Sequence, residues 1–379
     1  MPGALKNRKL RGWIIQAVVL LICVGLTVSF VLIARRNLLS QGIATGFGFL
    51  DRTTGWPINF SLTGVTANST YGQMLVAGLL NTLLVGGLAL TSATVVGVVV
   101  GLMRTSRNLI LNVIGTVYVE IFRNVPLILQ AFFWYAVLTH LPLPRQALSL
   151  GGAVFLSNRG LMLPSLGIDR LHLLLFLVAA SAILVLARRL RRRETPAARR
   201  VWPLAALAIA GLLVVALLSG GSGHSLVELP HLQGLRFVGG MTLKPEFAAL
   251  WIAMTVFGGA YIGEIVRGGF LSVDKGQIEA ARALGLDGFF INRFVRIPLA
   301  VRAMLPALAN QYVWLMKATT LGIVIGYPDY FMVVSISINQ SGQTIELLAL
   351  LMGGFLLINY AIGGAMNRLN NHLAIKGKG

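Results

Sequence analysis

The chain has 379 residues, 56% of them hydrophobic and only 12% charged, with a mean hydropathy of +0.79. Soluble domains carry roughly 25% charged residues, so there is too little charge here to cover a water-facing surface of this size. The formal charge of +20 would point to nucleic acid in a soluble protein, but the Lys and Arg lie mostly beside apolar spans, which argues for membrane orientation and against nucleic acid.

About 20 apolar residues cross a bilayer. On that scale eight helices are predicted, at 13–34, 74–103, 112–140, 171–187, 203–219, 246–270, 303–326 and 345–366. The expected class is an all-α integral membrane protein. Lys6 to Arg11 ahead of the first run imitates a signal peptide. The run from Trp13 to Ala34 is too long for that, and it ends in Arg35 and Arg36 instead of small residues. It is read as an uncleaved helix. The lone cysteine, Cys23, lies inside it, which excludes an intramolecular disulfide framework and a CxxC metal site.

The third predicted helix contains Glu120, Arg123 and Pro126 and is expected to begin as an interfacial segment and enter the membrane near the proline. The arginine run from Arg188 to Arg200 reads as a stop-transfer anchor facing the inner leaflet, in preference to a specific lipid or protein site. The stretch Ser219 to Gly223 reads as a surface connection, and no internal repeat is evident. Counting Lys and Arg by loop places both termini in the cytoplasm, with more than a twofold excess on that side. Arg35 and Arg36 oppose this assignment.

After the sixth helix comes a polar segment, 272–298. Asp274 is placed to cap a short helix through Glu279 and Leu284. Gly285 fits the left-handed position after its last turn. Asp287 is placed to cap a second helix that stops before Pro298. The expected product is a helix–turn–helix knob, rich in small residues, able to enter a cleft on a partner.

This segment resembles the signature of ABC-importer permeases: Glu279-Ala280-Ala281, three residues, Gly285, nine residues, then Val295, Ile297 and Pro298. Val295 and Ile297 stand where that family more often has Ile and Leu. Ala260 to Val273 and Tyr118 to Gln130 resemble the polar amino-acid uptake branch. The extra first helix, the interval 142–245 and the Gly326-Tyr327-Pro328-Asp329 turn resemble the larger permease subunit of general L-amino-acid systems. The resemblance implies a five-helix core with an extra N-terminal helix and a two-helix insertion. Its boundaries would be 1–70, 71–141, 142–245 and 246–379, with the coupling loop at 272–298. It also implies a bacterial inner-membrane location, a second, homologous permease chain, two ATPase subunits and a periplasmic amino-acid-binding protein. Glu279, Ala280, Ala281, Gly285, Val295, Ile297 and Pro298 would couple to the ATPase.

No GxxxxGK[ST] loop, nucleophile–base pair or metal-ligand cluster is present in the sequence. The chain is therefore read as no enzyme and as holding no cofactor of its own, with ATP and Mg on the partner ATPase. The histidines, His140, His172, His224, His231 and His372, are read as residues of loops and span ends. Charges at membrane depth are costly and suggest function or pairing. Lys317, followed by Thr319 and Thr320, is a candidate to meet a substrate carboxylate. Asn81, Thr82 and Gln130 are weaker path candidates. Glu120 with Arg123, and Glu264 with Arg267, share helix faces at a spacing of three and are read as structural ion pairs near the cytoplasmic boundary, in preference to a substrate role. A reading from another class is a self-sufficient channel or secondary transporter for a small polar solute, expected to carry its own ion site or filter. Co-purification of an ATPase separates the two.

Overall fold

The computed structural model describes residues 8–40, 46–166, 176, 179–184, 186–188, 201–218, 227–234 and 236–373. The first part of the predicted helix 171–187 lies mostly outside them, as do most of the arginine run, the Ser219–Gly223 stretch, His172 and His224. In chain order the helices are α1 (Arg8–Ser40), α2 (Tyr71–Thr105), α3 (Leu109–Asn124), α4 (Leu127–Thr139), α5 (Val201–Leu218), α6 (Pro245–Leu271), α7 (Lys275–Ala283), α8 (Ile297–Lys317), α9 (Tyr330–Ser341) and α10 (Thr344–Leu373). By length and composition α1, α2, α6 and α10 can each cross a membrane, and the bent pairs α3–α4 and α8–α9 bring the number to six. The two further helices predicted in the insertion correspond to shorter apolar helices at Ala179–Arg188 and Trp202–Leu212.

Small residues decide where the bundle is tightest. Along α2, the side facing inward reads Val85, Ala89, Ala93, Gly97 and Gly101, all buried and all four residues apart. They meet Gly258, Gly259, Ile262, Gly263 and Val266 of α6, which runs parallel. A Cβ at Gly97 would stand 2.5 Å from Cγ2 of Ile262, and one at Gly101 would stand 2.6 Å from Cβ of Val266. In hydrocarbon, apolar burial drives no association, so helices hold by close backbone approach at small residues. Here the four-residue spacing on both helices supplies it. The core continues from this seam to Leu127 and Ala131 of α4, Met304 and Leu315 of α8, and Tyr327.

Two predicted spans are broken. The expected single helix 112–140 is α3 and α4, bent by 101°. Pro126 has no N–H and its ring blocks a continuing turn. The carbonyls it frees are taken by Gln130, whose Nε2 donates to Phe122 O at 3.0 Å and Val125 O at 2.9 Å. The expected helix 303–326 begins earlier, as α8, tightens into 3₁₀ turns over Ala318–Ile325, and ends at Gly326 with φ +79°. The segment 327–344, expected to be a loop, contains the helix α9. Asp329 caps it by accepting from Met332 N at 2.8 Å, and Gly342 ends it with φ +71°. Twelve residues are too few for a span, and its polar end made it resemble a loop.

The insertion adds short strands to the mostly helical fold, which were not anticipated. β1 (Leu148–Leu150), β2 (Val154–Ser157), β3 (Gly160–Leu163) and β8 (Met241–Leu243) form an antiparallel sheet in that order. Two smaller pairs join β4 (Ser165–Leu166) to β5 (Val227–Glu228) and β6 (His231–Gln233) to β7 (Arg236–Val238). Polar and apolar residues mix too closely over three or four positions for period two to stand out. β8 leads directly into α6, so the sheet sits at one end of that helix and the polar segment 272–298 at the other. Residues 46–70 cap the sheet end of α2, where Phe49 packs with Tyr71, Met74, Val333 and Leu347.

Overpacking a close contact costs about 1–3 kcal/mol. Gly97→Leu and Gly101→Leu are expected to reduce monodisperse yield and thermal stability of the detergent-solubilised protein. Gly87→Ala, where a Cβ meets nothing within 4 Å, is expected to change neither. Size-exclusion profiles and melting curves of the three variants check this.

Candidate functional site

The knob forms largely as its capping residues dictate. Asp274 accepts from Gly276 N at 3.0 Å and opens α7. At the other end, Gly285 N donates to Arg282 O at 2.9 Å and Leu286 N donates to Ala281 O at 3.2 Å. That pair of bonds needs a left-handed residue between the donors, and Gly285 supplies it with φ +78°. Asp287 accepts from Phe290 N at 2.9 Å and caps the next turn.

The second helix does not stop before Pro298. Residues Gly288–Phe290 run into a π-helical stretch, Ile291–Arg296, and straight on into α8, where Pro298 occupies the first turn. The wider turn lets Ile297 N reach Asn292 O, and Pro298 has no N–H to satisfy. Proline is tolerated there for that reason. The knob is therefore welded to the start of a membrane helix at one end and joined to α6 at the other.

Its open surface carries large apolar side chains among charged ones. Ala281 is buried, while Glu279, Ala280 and Gly285 are exposed and Val295 and Pro298 are partly covered. Leu284 is 81% exposed, Phe289 66%, Phe294 60% and Ile297 44%. The Phe290 and Phe294 rings stack at 5.8 Å, and Arg293 lies over Phe294. These aromatics were passed over in the sequence, although Phe289-Phe290 followed by Phe294 places them one turn apart. Exposed aromatic residues in such number mark a contact surface.

The ionisable groups divide. Glu264 does pair with Arg267, Oε1 to Nη2 at 2.6 Å, and also with Arg104 at the end of α2. Nothing local in the sequence shows that α2 ends with Arg104 beside Glu264. The expected Glu120–Arg123 pair is not formed. Arg123 lies 4.9 Å from the centroid of the Tyr261 ring, and Glu120 meets Asn124 Nδ2 at 3.4 Å. The aromatic ring face competes for the guanidinium and wins.

Asn81, Thr82 and Gln130 are buried and bonded to backbone, with Asn81 Oδ1 and Gln130 Oε1 left without a hydrogen-bond partner. Asn81 Nδ2 donates to Pro328 O at 2.8 Å and Phe60 O at 3.1 Å, and Thr82 Oγ1 accepts from Tyr330 N at 2.9 Å. Thr319 is buried, its hydroxyl donating to Met316 O. Thr320 donates to Lys317 O at 2.9 Å. Lys317 is exposed and ends α8. It closes an open stripe of that helix formed by Ala303, Ala307, Asn310 and Trp314. Among the described residues no group of three His, Cys, Asp or Glu side chains is placed to hold a metal ion.

A β-branched residue in the left-handed region costs roughly 1–2 kcal/mol. Gly285→Val is expected to loosen the knob's turn, seen as faster amide hydrogen exchange over 281–290 with unchanged exchange in α2 and α6. Gly285→Asn is expected to stay close to the parent.

Residues 93–374 match the family of binding-protein-dependent transport system inner membrane components. The putative amino-acid ABC transporter permease protein YhdX of Escherichia coli K12 is 42% identical over 97% of this chain and 95% of its own length. The general L-amino acid transport system permease protein AapQ of Rhizobium johnstonii is 35% identical over 98% and 94%. The glutamate/glutamine/aspartate/asparagine transport system permease protein BztB of Rhodobacter capsulatus is 32% identical over 98% and 95%. Among solved structures, a chain of an amino acid ABC transporter crystallised with histidines aligns with TM-score 0.48 and 20% identity, covering 80% of this chain and 95% of that one. The chain belongs to the inner-membrane components of binding-protein-dependent transport systems, as a multi-pass permease subunit whose nucleotide is bound and hydrolysed on separate ATPase subunits.

Proposed function

We propose that this chain is one of two homologous permeases of an amino-acid importer, with the knob docked on the ATPase and the sheet end facing the binding protein. The knob carries the proposal. It is a capped, left-handed-turn element with exposed Leu284, Phe289 and Phe294, fixed to both α6 and α8. A surface of that kind needs a cleft to cover it, and its two rigid attachments carry the partner's motion into the bundle. The amino-acid substrate is supported by the three long relatives, each named for amino-acid transport. Both termini then lie in the cytoplasm with the knob, in keeping with the Lys and Arg count.

The division into 71–141 and 246–379 as core halves is supported by packing, since α2 and α6 form the tightest seam although 142–245 separates them in sequence. The pairing with a second permease is supported by the open stripe on α8. Asn310 and Lys317 are exposed there within a membrane-spanning pair. A polar stripe of this kind faces a neighbour or a water-filled path, because lipid does not solvate it.

Two outcomes are expected. Glu279→Lys reverses the charge on the open face of α7. It should leave membrane insertion intact and abolish both ATPase co-purification and ATP-driven uptake. Normal binding and uptake would overturn the assignment of the knob. Lys317→Met keeps length and removes charge, and is expected to lower uptake per assembled complex at least fivefold with complex yield unchanged. Lys317→Arg is expected to restore part of it, since a planar fork does not replace a compact ammonium. Wild-type uptake per complex in Lys317→Met would remove the residue from the path.

A further inference from the structure

Glu120 and Arg123 stand three residues apart on α3, both are exposed, and yet they do not pair. Their depth follows from the helix beside them. Tyr261, under Arg123, lies ten residues from the knob end of the 27-residue α6, which is roughly 15 Å along its axis. That helix is roughly 40 Å long and overhangs a hydrocarbon core of about 30 Å by some 5 Å at each end. Tyr261 and the guanidinium over it therefore lie well inside the hydrocarbon zone. Charged groups at such depth face protein or water.

The neighbouring rings show what that space adjoins. Tyr261 stacks towards Trp314 at 6.4 Å, and Phe257 stacks on Trp314 at 5.3 Å. Trp314 belongs to the open stripe of α8, together with Asn310 and Lys317. A ladder of aromatic faces thus joins Arg123, with Glu120 three residues before it on α3, to the stripe proposed to line the path.

We propose that Glu120 and Arg123 recognise the zwitterionic end of an α-amino acid in the translocation path, Arg123 taking the α-carboxylate and Glu120 the α-ammonium. This rests on the reading of the chain as an amino-acid permease. A planar guanidinium matches a carboxylate through two parallel N–H···O bonds. Set three residues apart on one helix face, Glu120 and Arg123 can contact the α-ammonium and the α-carboxylate, which share one carbon, from either side. Tyr261 and Trp314 offer ring faces that accept side chains of many shapes, so recognition falls on the common backbone group. When the ligand departs, Arg123 returns to the Tyr261 ring face and Glu120 to Asn124, which keeps affinity modest and release fast. Neither residue touches the α2–α6 seam, so removing either charge leaves that packing in place.

The test uses the assembled wild-type complex, with its partner permease and ATPase subunits, in nanodiscs without binding protein. The probe is whichever radiolabelled common L-amino acid the complete system takes up best in proteoliposomes. Absence of uptake for every one of them overturns the amino-acid reading itself. With a probe in hand, its carboxamide, which lacks the carboxylate, and its N-acetyl derivative, which lacks the ammonium, compete for binding. Each is expected to compete at least tenfold more weakly than the free amino acid, the loss of one charge-assisted contact. Arg123→Gln is expected to abolish the preference for the free acid over the carboxamide. Glu120→Gln is expected to abolish the preference over the N-acetyl form. Uptake with no saturable binding, equal competition by the derivatives on wild type, or unchanged preferences in both variants overturns the site. So does a fall in complex yield with preferences intact, which would assign the two residues to the permease–permease contact. Where a variant fails to assemble, the competition on wild type alone decides.

Discussion

The structure hangs on the backbone approach of α2 to α6. Inside a bilayer, apolar side chains gain nothing by leaving lipid for one another, so two helices stay together only through packing and polar contacts. Gly97 and Gly101 on one helix and Gly259 and Gly263 on the other remove the side chains that would hold the axes apart. Ile262 and Val266 fill the space that results. Because the helices run parallel, the seam extends towards the knob end, where Arg104 reaches Glu264 and Glu264 reaches Arg267. A segment before the insertion and a segment after it are thereby made one body.

The rest of the bundle is built around this pair by solving a different problem. Each broken span leaves carbonyls and amides without helical partners, and in hydrocarbon every such group costs several kcal/mol. The first turns of α2, before the seam, carry the answer for one break. Asn81 and Thr82 hold Pro328 O and Tyr330 N, and the Tyr327 hydroxyl donates to Asn81 O at 2.9 Å. Gln130 does the same for the bend at Pro126. Polar residues buried in the membrane here are brackets for irregular backbone. They cannot be exchanged for apolar residues of equal volume without freeing the turns they hold.

How far this was legible in the sequence depends on the range of the interaction. The caps of the knob were readable, because Asp274, Gly285 and Asp287 act on neighbours within five residues. The long spans were readable from length and apolar content. The continuation of the knob into α8 was not, since a proline normally reads as a boundary and only the π-helical turn before Pro298 removes the conflict. α9 was missed because its caps were visible but its stretch was too short for a span. The roles of Asn81 and Gln130 depend on which carbonyl a distant proline frees, and spacing along one chain carries no trace of that. The Glu120–Arg123 reading failed for a related reason. A spacing of three permits the pair, but Tyr261, from another helix, offers the guanidinium a ring face that sequence distance hides.

The open surface of the chain then separates into parts that lipid satisfies and parts that it does not. α1 exposes an apolar window of which none is buried by the rest of the chain, and acyl chains are a sufficient neighbour for it. Lipid is no such neighbour for Asn310 and Lys317 on α8, for Glu120 and Arg123 on α3, or for the aromatic tip of the knob. On the placement argued from the length of α6 the first two sets lie at membrane depth, and the third lies beyond the end of α6. Asn310 and Lys317 are left open while Asn81, Thr82 and Gln130 are enclosed. The contrast argues that the open set is left for other molecules. On the proposed reading these are a second permease and the solute along α8 and α3, and an ATPase at the knob. Each would be reached from one rigid pair of helices whose contact none of them disturbs.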